Sequence, residues 1–152
     1  SADELAGITE TPALPASLPH PVGDLVILLV EVQEVNRTFV QRLLERQGYR
    51  IVPASDGLIA LELLQQGRYD LMLLDIQMPG MGGEEVLQRL RRQEQTSGEY
   101  LPAIALTAHA LAGDREKLLG IGFDGYISKP VQMDQLLAEM ARVLSVKGAV
   151  AA

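Results

Sequence analysis

Four side chains in this sequence fall at matching places, each just past a short apolar run. Glu31 follows Leu25–Val30, Asp75 follows Asp70–Leu74, Thr107 follows Ala103–Leu106, and Lys129 comes just beyond Gly125–Ile127. Together they offer two carboxylates, a hydroxyl and an ammonium. That set suits capture of a phosphoryl group, which needs a nucleophile, a hydrogen-bond donor and a positive charge. Singly, each has a plainer reading. A carboxylate at a strand end caps the next helix or solvates a loop, Thr107 caps a helix, and Lys129 before Pro130 sits in a loop. The argument for a site is that all four follow such runs.

For these residues to meet, the runs must be parallel strands. With Tyr49–Pro53 there are five runs, and those at 25–30, 70–74 and 103–106 are nearly all apolar, as in strands buried on both faces. Helical patterns separate them. The first carries Val35, Phe39, Leu43 and Leu44 as its expected inward stripe and stops near Gly48. The second runs from about Gly57 to Gln66, with Leu61 and Leu64 inward and Gly67 as its stop. The third covers Glu84 to about Gln95, with Val86, Leu87 and Leu90 apolar, and the polar stretch Arg91–Tyr100 fits either more helix or a loop. The fourth spans about Leu111 to Leu119, and the last carries Met133, Leu136, Leu137, Met140, Val143 and Leu144. Five strand–helix alternations predict an α/β fold, a doubly wound parallel sheet with helices on both faces. Ligands of such sheets bind beyond the carboxyl ends of the strands, where the four residues lie.

Residues 1–22 read as a flexible proline-rich linker (Pro12, Pro15, Pro19, Pro21), residues 23–147 as one domain and 148–152 as a tail. The first 24 residues hold four acids and no base, leaving 16 acids against 13 scattered bases in the body. Such a surface argues against nucleic-acid binding. No apolar run is long enough for a bilayer, so no membrane contact is expected of this domain. The absence of cysteine excludes disulfides and thiolate metal sites and fits a cytoplasmic location. No signal-peptide pattern is visible near residue 1, and the sequon Asn36-Arg37-Thr38 lacks a secretory context.

Two rival motifs fail on context. Gly120-Ile121-Gly122-Phe123-Asp124-Gly125 fits G-x-G-x-x-G but follows a helix and enters a strand, the reverse of a dinucleotide fingerprint, so no organic cofactor is expected. His20 lies among prolines and His109 at the start of the fourth helix, too far apart in the sequence to suggest a zinc pair.

The segments Ile27-Leu28-Leu29-Val30-Glu31 with Glu34-Val35-Asn36, Leu73–Gly83 around Asp75-Ile76-Gln77-Met78-Pro79-Gly80, Ala105-Leu106-Thr107-Ala108-His109, and Phe123–Pro130 resemble, in order, four signature segments of response-regulator receiver domains. Their wording is most like receivers attached to hybrid sensor histidine kinases. The resemblance implies a flavodoxin-like sheet of order 2-1-3-4-5. It implies Asp75 as acceptor of a phosphoryl group from a phosphohistidine on a histidine kinase or histidine phosphotransfer domain. Lys129 would then pair with a phosphoryl oxygen, and Thr107 would donate to it. Thr107 and Tyr126 would form the switch, and the face of helix 4, strand 5 and helix 5 would carry the output. Such a domain is a phosphoacceptor rather than a turnover enzyme. Mg²⁺ would be held by Glu31, Asp75 and the backbone carbonyl of Gln77.

One departure bears on that metal. Where the family has a second adjacent acid, this chain has Val32, which offers no oxygen ligand. Weak or absent Mg²⁺ binding is therefore expected. Two further readings stay open: a degenerate pseudo-receiver working through protein contacts without phosphorylation, and an aspartate-nucleophile phosphatase. The last is disfavoured because Gln77 stands where such enzymes carry a second acid. Gly82, where the family often has an acid, can still cap a helix.

Overall fold

The computed structural model describes residues 25–108 and 114–151, with side chains through residue 145. The expected linker, His20, His109 and the expected first turn of the fourth helix at 111–113 lie outside the described residues. Strands and helices alternate: β1 Val26–Val30, α1 Glu34–Arg46, β2 Arg50–Ala54, α2 Gly57–Gln66, β3 Leu71–Asp75, α3 Gly83–Ser97, β4 Ala103–Thr107, α4 Asp114–Ile121, β5 Gly125–Ser128 and α5 Met133–Ala151. The strands form one parallel sheet of order β2-β1-β3-β4-β5. This is the flavodoxin-like order.

Alternation along the central strands sorts their side chains into two cores. Ile27, Leu29, Leu71, Leu73, Ile104 and Leu106 pack with Val40 and Leu44 of α1 and with Leu136, Met140, Val143 and Leu144 of α5. Leu28, Val30, Met72, Leu74, Ala103 and Ala105 pack with Val86, Leu87 and Leu90 of α3 and Leu118 of α4. Strands with apolar residues on both faces need helices on both faces, which explains their unbroken hydrophobic runs. In α2, Asp56 caps Ile59 N, and Leu61 and Leu64 pack half-buried beside the fully buried Ala60. Glycine at 98 with φ 78° ends α3, so the polar stretch after Arg91 continues the helix to Ser97 and then loops. Arg91 secures that loop, donating to Leu101 O at 2.7 Å and Gly122 O at 2.9 Å while lying 4.1 Å over the Tyr100 ring. The last helix runs on to Ala151, through the residues expected as a tail.

The expected inward stripe of α1 needs correction. Leu44 is buried as expected, but its inward companion is Val40; Val35 is 80% exposed, Phe39 51% exposed and Leu43 half-buried. Both rows satisfy helical periodicity, because 35-39-43 and 40-44 are neighbouring ridges on one helix. The turn from β1 into α1 decides which ridge meets the core. Leu44→Ala should therefore destabilise the fold by about 2–5 kcal/mol. Val35→Ser should change stability by no more than about 0.5 kcal/mol. Urea unfolding of both variants checks the assignment.

Candidate functional site

Register alone aligns the site. Val30 pairs with Leu74, Asp75 with Leu106, and Thr107 with Ser128, so the residues ending β1, β3, β4 and β5 reach one edge within a residue or two of each other. The turns that follow are pinned by main-chain bonds: Glu31 N to Ala54 O, Ile76 N to Leu106 O, and Lys129 N to Thr107 O. The Lys129–Pro130 peptide is cis.

The expected cluster forms. Lys129 Nζ lies 3.0 Å from Glu31 Oε1 and 3.1 Å from Asp75 Oδ1. Both carboxylates are buried, with Glu31 and Asp75 each 1% exposed. Thr107, also buried, ends β4 beside them. Tyr126 is level with Ala105, one residue below Leu106 and so beneath the hollow; its ring is half-buried against the core on the α2–α4 side, and its N–H donates to Glu139 on α5. The structure thus gathers Glu31, Asp75, Lys129 and Thr107 and leaves Tyr126 beneath them.

Three contacts had no signal in the sequence. Gln77 N donates to Asp75 Oδ1 at 3.1 Å, and Gln33 N donates to Glu31 Oε2 at 3.1 Å. Arg37 reaches back from α1 to donate to the Glu31 carbonyl oxygen at 2.9 Å. Main-chain donors belong to the path of the turn, so no residue type reveals them; only Arg37, one turn into the first helix, was visible as a side chain.

These bonds leave the two oxygens of Asp75 unequal. Oδ1 accepts from Gln77 N and faces Lys129, whereas Oδ2 is buried with no hydrogen-bond partner. A buried carboxylate oxygen without a donor has lost its water and keeps its lone pairs uncommitted. Val32 packs half-buried against the apolar core and supplies nothing to the hollow. Among the described residues, no group of three or more His, Cys, Asp or Glu side chains could hold a metal.

Burial pushes the Glu31 carboxyl above its ordinary value, and the neighbouring Asp75 adds to the rise; Lys129 and Gln33 N oppose it. A raised value means the folded state keeps a proton that the unfolded chain has already lost. That contribution to stability is complete below the unfolded value of 4.5 and disappears as pH climbs through the raised folded value. Comparing wild type with Glu31→Gln by urea unfolding between about pH 4 and 7 should show wild type losing stability relative to the variant as pH rises.

Comparison with known proteins agrees with this geometry. Residues 27–141 match the response regulator receiver domain family. The chain is 40% identical over 111 residues to the sensor protein GacS of Pseudomonas syringae, covering 72% of this chain but only 12% of that protein. It is 36% identical to the polar-differentiation response regulator DivK of Brucella anthropi, covering 73% of this chain and 89% of that one. Among solved structures, the receiver domain of a Pseudomonas aeruginosa sensor histidine kinase, with magnesium coordinated in its active-site cleft, superposes with a TM-score of 0.71. It is 37% identical, covering 80% of this chain and 98% of that one. The sheet order, the family match over residues 27–141 and the superposing receiver structures make one conclusion: the chain belongs to the response regulator receiver domain family of two-component signalling.

Proposed function

We propose that this domain accepts a phosphoryl group on Asp75 Oδ2 from a protein phosphohistidine, as the receiver of a hybrid sensor kinase. The observation that carries the proposal is the asymmetry of Asp75. One oxygen is fixed by Gln77 N and Lys129, and the other is buried and unpartnered. In the transfer, the bond from Oδ2 to phosphorus forms as the bond from phosphorus to the imidazole nitrogen breaks. The departing electron pair stays on that nitrogen. Lys129 lies where its ammonium offsets charge on a phosphoryl oxygen, and the Thr107 hydroxyl at the end of β4 is the second donor. Tyr126 and the α4–β5–α5 face would carry the change onward to the output partner.

The donor set suits a hydrated Mg²⁺, though sparsely. Asp75 and Glu31 are buried carboxylates and the Gln77 carbonyl a third hard donor, while Val32 adds none. When bound, Mg²⁺ supplies positive charge at the transferring phosphoryl. Loss of even an outer partner costs about 10–100-fold in metal affinity, so the valine implies weak binding. Lys129 partly offsets that loss by facing both remaining carboxylates.

The exposed ridge of α1 supports a protein donor. The helix starts three residues after Glu31 and carries the exposed Val35 and Phe39 and the half-buried Leu43, with Arg42 and Arg46 alongside, an apolar strip leading away from the hollow. A helical donor seated there would bring its histidine over Asp75. The sensor-protein relatives favour a larger parent containing a kinase.

With a small phosphodonor and Mg²⁺, intact mass should rise by one phosphoryl group in wild type and not in Asp75→Asn. No gain under conditions that label an ordinary receiver would instead support a pseudo-receiver, a reading favoured by the closed Lys129 ion pairs. Val32→Asp should tighten Mg²⁺ at least about 10-fold by titration. An unchanged affinity would sink this account of the metal defect.

A further inference from the structure

The structure assigns Gly83 as a positioning residue for the acceptor, an inference that rests on Asp75 being the phosphorylated residue. β3 ends at Asp75, the loop turns back on itself, and α3 begins at Gly83. There the helix meets the main chain of the acceptor. Gly83 N–H donates to Ile76 O at 3.1 Å. A Cβ on Gly83 would overlap the Asp75 carbonyl oxygen and lie 3.0 Å from both the Asp75 carbonyl carbon and Ile76 Cα.

All three obstacles are backbone atoms, so no side chain could swing aside. Nor is glycine needed at 83 for an unusual conformation, since its φ is not among the positive ones. Gly80, with φ 79° and open space around it, is the opposite case. Gly83 is required for closeness alone. With any other residue, α3 would have to withdraw or the Asp75 peptide would have to move.

The second outcome reaches the chemistry. The Asp75 carboxylate is held through bonds of 3.1 Å from Gln77 N and Lys129 Nζ, and Gln77 lies in the same loop. Displacing the Asp75–Ile76 peptide turns Oδ1 away from both donors and re-aims Oδ2. Reactive groups need placement within about 0.5 Å. A shift of about 1 Å costs about 100-fold in rate. The first residue of α3 thus acts as a stop that fixes the direction of the attacking oxygen.

Gly83→Ala tests this against Leu44→Ala, a buried residue of α1 that packs in the opposite core and touches neither the β3–α3 loop nor the hollow. Phosphoryl uptake from phosphoramidate with Mg²⁺ is followed by intact mass, and the Gln77 amide by ¹⁵N NMR. Gly83→Ala should slow uptake about 100-fold at saturating donor, leave the half-saturating donor concentration within about threefold of wild type, and shift the Gln77 amide. Leu44→Ala should do none of these at equal or greater loss of thermal stability. Wild-type uptake by Gly83→Ala, or equal impairment in Leu44→Ala, overturns the assignment. If wild type takes up no phosphoryl group, the acceptor reading fails, and the Gln77 shift alone decides the positioning role. If Gly83→Ala does not fold, amide exchange in wild type decides. Gly83 and Gln77 exchanging together, as slowly as β3, supports the stop; Gly83 exchanging at least tenfold faster than Gln77 overturns it.

Discussion

Two carboxylates buried beside each other cannot both remain charged without a cation, and in this protein the cation is Lys129. Its ammonium bridges Glu31 and Asp75 at 3.0 and 3.1 Å. Removing one partner from such a set leaves an uncompensated buried charge, which is far costlier than the net value of the pair. The constraint therefore links the ends of β1, β3 and β5. Ionised carboxylates at this edge need β5 beside β4, so that Lys129 falls within reach. Glu31 records the residual strain, because burial still lifts its carboxyl above the ordinary value despite the ammonium.

The sheet meets this demand through register rather than loop length. Each central strand puts apolar residues on both faces, so both cores must be covered and the strands become interior. Polar side chains are then expelled to the strand ends, where turns with free N–H groups receive them. Gln33 N and Gln77 N meet Glu31 and Asp75 in this way. At the free edge, α5 closes β5: Glu139 accepts from Tyr126 N and Arg142 donates to Asp124 O. An open strand edge would otherwise invite pairing with another chain. The same bond ties the Tyr126 main chain to α5.

Val32 and Gly83 bear on the site in different ways. The valine removes an oxygen from the hollow and packs into the core instead. The glycine admits the helix to the acceptor's main chain.

The order of elements, the central strands and the four chemical residues were legible in the sequence. Unbroken apolar runs and polar residues at their ends are one-dimensional signals of buried parallel strands. The α1 ridge was legible only at Leu44; Val40 was missed and Val35 and Phe39 were misplaced, because Val35-Phe39-Leu43 and Val40-Leu44 have equal periodicity and only the docked helix chooses between them. Nor could the sequence show that Asp75 has one occupied and one vacant oxygen, since both donors arrive through backbone path and sheet register. Residue types fix which atoms are present; which of them lie within 3 Å of each other is settled by how distant strands align.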